Sequence, residues 1–227
     1  NITEKNMIDF SKKINADIYD IIYCSDDRHF NRFIHDNKII LPSLRYTKKY
    51  VNFFTNEFSK ANSFSYDTKK INFLFFQSKF IGNIHKEEVF RLFKIIDNKK
   101  NCNLIFKKHP RGGFKEIKKF YNIKNLIITN NHSIFSILKA DFVINIQSIS
   151  LYDAFLLDKP VIFPTYMSSN IFNPELLSYC LVVKSPDELV NCINKISNNE
   201  YKHNIKKFEG NDFTITLQKW KTSLEQI

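Results

Sequence analysis

The stretch KINFLFFQSKFIGNIHKEEVFRLFKIIDNKKNCNLIFKKHPRGG, residues 70–113, decides the fold class. It opens with Ile71 to Phe76, an apolar run of strand length. A strand with one face in water alternates polar and apolar side chains. This run does not alternate, so both of its faces are covered. Helical spacing follows in Lys86 to Asp97, through Val89, Phe90, Phe93 and Ile96. Asn103 to Phe106 is a second such strand, and it leads straight into Lys107-Lys108-His109-Pro110-Arg111-Gly112-Gly113.

The same alternation continues toward the C-terminus. Leu126 to Thr129 is a third strand, with a helix over Ser133 to Lys139. Phe142 to Ile146 is a fourth, followed by Gln147-Ser148-Ile149-Ser150 and a helix to Leu157. Val161 to Phe163 and Leu181 to Val183 complete six strands, before a helix over Pro186 to Ile196. Unalternating strands separated by helices predict an α/β domain: a doubly wound, Rossmann-like parallel sheet with helices on both faces. Ligands of such sheets bind beyond the carboxyl ends of the strands.

Toward the N-terminus the pattern is less regular. The spacing predicts a short helix over Lys5 to Ile14, a strand over Ile18 to Tyr23 and a helix over Asp27 to His35. Lys38 to Leu41 reads as a strand stopped by Pro42, and Ser43 to Asn62 as a connector. Serine-rich Ser59 to Ser65 supports a linker there. The expected division is therefore residues 1–65, the end of one domain with its connector, and residues 66–227, the sheet domain.

Composition agrees with a packed body. Of 227 residues, 43% are hydrophobic and 15% aromatic, Phe alone numbering 23. No apolar run reaches the roughly 18 residues that a membrane-spanning helix needs. The chain begins at Asn1, not Met, which is expected of a segment of a longer protein, and no signal peptide is visible. Cys24, Cys102, Cys180 and Cys192 stand far apart with no CxxC, so a reduced, cytoplasmic setting is expected. The net charge of +11 is spread along the chain without a basic stripe, and nucleic acid is not an expected partner. A phosphate-bearing substrate or peripheral attraction to anionic lipid on the inner membrane face explains the sign equally well, and a solvated basic surface with no specific partner is the leading alternative to both.

Two loops carry candidate chemistry. After the second strand, Pro110 fixes the backbone and Gly112-Gly113 let N–H groups converge on an anion. Arg111 can grip a phosphate bidentately, with Lys107 and Lys108 adding point charge. His109, ordinarily titrating near neutrality, can donate a proton to a departing phosphate. The competing reading is a basic turn at a sheet edge. After the fourth strand, Gln147, Ser148 and Ser150 precede a helix, where hydroxyls and free N–H groups suit a phosphate. Ser150 and Asp153 also fit a capping box, and Asp153 can alternatively accept from ribose hydroxyls. Gln77-Ser78 and Gly82-Asn83 follow the first strand and face the same end of the sheet. Pro164-Thr165-Tyr166 after the fifth offers an aromatic face or hydroxyls to a base. No HExxH, DxD or P-loop occurs, so neither a metal nor another cofactor is expected.

Lys107-Lys108-His109-Pro110-Arg111, Ser148-Ile149-Ser150-Leu151-Tyr152-Asp153-Ala154 and Asp158-Lys159-Pro160-Val161-Ile162-Phe163 resemble the C-terminal domain of bacterial GT-B transferases of capsule and cell-wall polymers. These include HP-motif glycosyltransferases and CDP-glycerol glycerophosphotransferases. Ile40 to Tyr46 is similar to the segment that ends the N-terminal domain in such enzymes, with Leu41 in place of its glycine. Asp153 stands where Glu is frequent, and Asp158 where glycine is usual. The resemblance implies a metal-independent glycosyltransferase that uses a nucleotide-activated sugar, CMP-, CDP- or UDP-linked, as substrate. His109, Pro110, Ser148 and Ser150 would contact the donor. It further implies a carbohydrate or lipid-linked acceptor and a role in surface polysaccharide, capsule or lipooligosaccharide synthesis. A CDP-glycerol-type polyol-phosphate transferase and a non-catalytic nucleotide-binding remnant are alternatives. A nucleotide-sugar 2-epimerase fits less well. Its usual Gly-Gly after the serine loop is missing, and Pro164 to Met167 replaces its acidic-Arg-Pro-Glu cluster.

Overall fold

Side chains along the central strands point alternately to two buried layers, and this alternation builds the larger part of the molecule. The structure, a computed structural model, describes residues 14–15, 22–24, 33–59, 69–77, 84–109, 122–146, 148–169, 174–202 and 206–224. The chain divides into two compact units, one of Asn1–Asn52 with Glu209–Ile227 and the other of Phe53–Phe208. The sequence pattern had set a boundary near residue 65 and left the C-terminus with the sheet.

In the first unit, β1 (Ile14–Asn15) pairs with β3 (Phe33–Ile34), and β2 (Ile22–Cys24) with β4 (Lys38–Ile40), both parallel. Phe33 and Ile34 thus lie in a strand, where a helix over Asp27 to His35 was expected. A strand partner overrides local propensity in so short a segment. The predicted helix over Lys5 to Ile14, apart from Ile14 which lies in β1, and most of the strand over Ile18 to Tyr23 lie outside the described residues. In the expected connector a 3-10 turn at Leu44–Tyr46 leads into helix α1 (Lys48–Ser59), whose residues from Phe53 on belong to the second unit, while residues 60–62 lie outside the described residues. Thr47 is buried and caps α1 by accepting the Tyr50 N–H at 3.3 Å. The last helix, α6 (Phe213–Leu224), belongs to this unit. Its Trp220 indole donates to the Pro42 carbonyl at 3.1 Å, and the Asn211 N–H donates to Tyr46 O at 2.7 Å.

The second unit is the predicted sheet. Strands β5 (Ile71–Phe76), β6 (Cys102–Lys107), β7 (Leu126–Thr129), β8 (Phe142–Ile144), β9 (Val161–Pro164) and β10 (Leu181–Val183) lie in the order β10-β9-β8-β5-β6-β7. All pairings are parallel. Phe73, Phe75, Leu104, Phe106, Ile144 and Ile162 pack on one face, beneath α2 (Lys86–Asp97) and α5 (Pro186–Ser197). Leu74, Phe76, Ile105, Val143 and Val161 pack on the other, with α3 (Ser133–Leu138) and α4 (Leu151–Leu156). Burying one such side chain contributes about 1.5–3 kcal/mol, which is why the two layers hold the sheet between them. No helix among the described residues is long and apolar enough to cross a membrane.

Candidate functional site

Numbered from β5, the sheet order read from β7 is 3-2-1-4-5-6, the winding of a Rossmann sheet. The direction of winding reverses between β5 and β8, whose Phe75 and Ile144 stand opposite each other in register. A crevice outside the carboxyl ends of these two strands is where such a sheet takes a ligand. The described loops there are the ends of β5, β6 and β8.

Gln77, the residue after β5, is only 4% exposed. Its N–H donates to Lys107 O at 3.0 Å, and its side-chain Oε1 accepts the His109 N–H at 2.9 Å. One carboxamide therefore ties the ends of the first and second strands and fixes the backbone that carries the His109 ring. Lys108 donates its N–H to Thr129 O at 3.0 Å, which extends the brace to β7. The Lys107 ammonium donates to Lys108 O at 3.0 Å, and burial pushes its pKa below the usual lysine value. Its charge thus lies on the loop's own backbone.

The loop after β8 is organised by Asn145, which the sequence motifs passed over. Asn145 is fully buried. Its Oδ1 accepts the Ser148 N–H at 3.0 Å and its Nδ2 donates to Ser148 O at 3.0 Å, so the carboxamide closes the loop as a strand partner would. The Asn145 N–H donates to Ile162 O at 3.1 Å, anchoring the turn to β9. The Ser148 hydroxyl accepts the Ser150 N–H at 3.3 Å and keeps its own proton for another oxygen. A single asparagine after an apolar strand carries no distinctive spacing, so only the closed loop discloses it.

The expected capping box does not form. Ser150 is the N-cap of α4 by position, but its backbone is helical (φ −63°, ψ −5°) and its side chain makes no cap hydrogen bond. An N-cap hydroxyl reaches back only from an extended backbone, and Ser150 lacks that geometry. Asp153 is fully buried and accepts from Ser133 Oγ at 3.2 Å, joining α4 to α3. The N–H groups expected to be free at the start of the six-residue α4 are already used: Leu151 donates to Ser148 O at 3.1 Å, Tyr152 to Ile149 O at 3.2 Å and Ser150 to the Ser148 hydroxyl at 3.3 Å. Tyr166 packs against the core, where burial, then the Glu88 charge, raises its phenol above the ordinary value. Its neighbour Met167 accepts the His85 N–H at 2.9 Å, pinning the loop after β9 to the start of α2. Ser78, Pro110, Arg111 and Gln147, with Gly82-Asn83 and Gly112-Gly113, lie outside the described residues. Among the described residues no three His, Cys, Asp or Glu side chains gather as metal ligands would.

Sheet order, parallel pairing and helices on both faces define an α/β Rossmann-like protein of the kind found in GT-B enzymes. UDP-GlcNAc 2-epimerase from Methanocaldococcus jannaschii, in complex with UDP-GlcNAc and UDP, superposes with a TM-score of 0.58 at 16% identity. That match covers 91% of this chain and 62% of the other. A second structure of the same enzyme gives 0.56 at 17% identity, over 82% and 56% of the two chains. HepE from Anabaena, in complex with UDP-glucose, gives 0.51 at 11% identity, over 91% and 64%. The chain thus spans less than two thirds of the length of each of these proteins. At such identities the likeness establishes the fold alone. No protein-family model and no curated relative matches the chain.

Proposed function

We propose that this chain is the nucleotide-sugar-binding part of a metal-independent GT-B glycosyltransferase that builds bacterial surface polysaccharide. The observation that carries the reading is the 2.9 Å bond from the His109 N–H to the buried carboxamide of Gln77, which follows β5, one of the two strands between which the winding reverses. It supports the reading by fixing the backbone that carries the His109 ring at the end of the sheet where a Rossmann fold takes its ligand. In this reading the donor diphosphate lies between the His109 loop and Ser148. The Ser148 hydroxyl gives its proton to a phosphate oxygen, and Arg111 supplies a bidentate contact. As the sugar–oxygen bond breaks, negative charge grows on the leaving phosphate, and His109 as imidazolium stabilises it and gives up its proton. The acceptor is a carbohydrate or a lipid-linked carbohydrate. The setting is the cytoplasm, with the basic surface drawn to the inner membrane face.

Calorimetric titration with UDP, CDP, CMP and GDP tests the reading. One of them is expected to bind, with Ser148→Ala weakening it. In a preparation that transfers sugar, His109→Ala should lower the rate by roughly 10²-fold or more with unfolding unchanged. Binding of none of the four sinks the proposal. Binding without transfer, acceptor supplied, identifies a nucleotide-binding module instead.

A further inference from the structure

At the opposite end of the sheet from the crevice, a half-open cavity of about 270 Å³ is lined by Phe155, Asp158, Lys159, Pro160, Tyr179, Lys206, Lys207 and Phe208. Its place follows from the strands: Pro160 precedes β9, and Lys159 donates to the carbonyl of Ala140, which precedes β8, at 2.7 Å. Three rings form the apolar part. Phe155, Tyr179 and Phe208 stand 5.2–5.6 Å apart pairwise, with Phe208 edge-on to Tyr179. Three lysines and one aspartate supply the charge, so the lining carries an excess of two positive charges.

Among the described residues none of those lysines has a strong anionic partner. Lys207 meets Asp158 only at 4.0 Å, with both side chains more than half exposed. The Lys206 ammonium lies 5.2 Å from the Tyr179 ring centroid, a contact with a π face. Lys159 is partly buried against a neutral carbonyl, and desolvation, against the opposing charge of Asp141, lowers its pKa. An aromatic wall beside unneutralised ammonium groups complements a flat apolar body that bears an anion. The volume of about 270 Å³ falls just below the roughly 300–1,000 Å³ of pockets for larger ligands, and accommodates one ring with its charged group, not a whole nucleotide sugar.

We propose that this cavity is a second binding site, separate from the crevice, for a small aryl phosphate or aryl carboxylate. The ring packs on the accessible faces of Tyr179 and Phe208, with Phe155 backing them, and the anion is held by Lys206 and Lys207. The proposal stands whether or not the crevice binds nucleotide.

Titration of the full chain with phenyl phosphate, followed residue by residue through amide NMR shifts, tests it, with inorganic phosphate and phenol as parallel arms. Saturable shifts are expected at Tyr179, Lys206, Lys207 and Phe208, at lower concentration than either parallel probe requires. Both lysines are exposed, so the double variant Lys206→Glu/Lys207→Glu should fold normally and bind phenyl phosphate about tenfold more weakly, near 1.4 kcal/mol. Four outcomes overturn the proposal. These are absence of shifts at the cavity, shifts confined to the crevice loops, equal potency of inorganic phosphate or phenol, and unchanged affinity in the folded double variant.

Discussion

Ser148 and Ser150 sit two residues apart and do different work. Ser148 accepts a backbone N–H and is clasped by Asn145, whereas the Ser150 side chain caps nothing. Ser148→Ala should cost roughly 1 kcal/mol in urea unfolding, the usual worth of one such bond, and should also weaken nucleotide binding. Ser150→Ala should stay within about 0.5 kcal/mol and leave affinity alone. Equal effects from the two would contradict this division. Asp158 poses a different residue-scale question. It occupies a left-handed backbone position (φ 52°), which favours glycine. Asp158→Gly relieves that conformation, and the 4.0 Å exposed contact with Lys207 that it removes is worth little. A gain of roughly 0.5–1 kcal/mol is expected, read as a higher urea midpoint with an unchanged slope.

Among the elements, β5 and β6 carry a polar pair inside the sheet. Asn72 and Asn103 face each other in register, and the Asn103 carboxamide donates to Asn72 Oδ1 at 3.1 Å, both residues 5% exposed. Asn103→Leu strands that oxygen without its donor and should cost about 1–3 kcal/mol, measurable by thermal or urea unfolding. An unchanged midpoint would show that the pair is not coupled. The sheet was legible because its strands fail to alternate, and α2 was legible because its apolar residues recur at helical spacing and Glu87 and Glu88 sit in its first turn. Helix α1 was not, since Val51, Asn52, Thr55 and Asn56 are poor helix formers. Its C-terminal half is held by tertiary contacts instead: Phe54 and Phe58, one turn apart, stack on His132 with centroids 5.1 and 5.2 Å away. In the site, the residues that reach outward carried a signal, while Asn145 and the bracing role of Gln77 emerge only when distant strands lie side by side.

For the whole molecule, the buried thiols set an alkaline limit. Burial raises Cys102 to about 11 and Cys180 and Cys192 to about 12, against an ordinary value of 9.0. Below pH 9 these thiols are protonated in folded and unfolded chains alike. Above it the unfolded chain releases thiol protons first, so the stability present below pH 9 is lost as pH rises through the folded values. Lys107 and Lys159, lowered by burial, act in the opposite sense as pH approaches 10.5, because there the unfolded chain holds more protons. Tyr166 and Tyr201, also raised by burial, act with the thiols above pH 10. Replacing the three cysteines with alanine should therefore make stability fall less, or rise more, with pH above 9 than in the unaltered protein. Urea midpoints across that range check it, and identical curves would contradict the burial-raised thiols.

The first compact unit is made from both ends of the sequence, Asn1–Asn52 with Glu209–Ile227, while Phe53–Phe208 is one uninterrupted piece. On the ribosome the interrupted unit must wait, because the Trp220 that bonds Pro42 is translated 178 residues later. The sheet unit has all of its strands available long before. Vectorial synthesis thus favours an order in which Phe53–Phe208 matures before the unit whose two segments flank it.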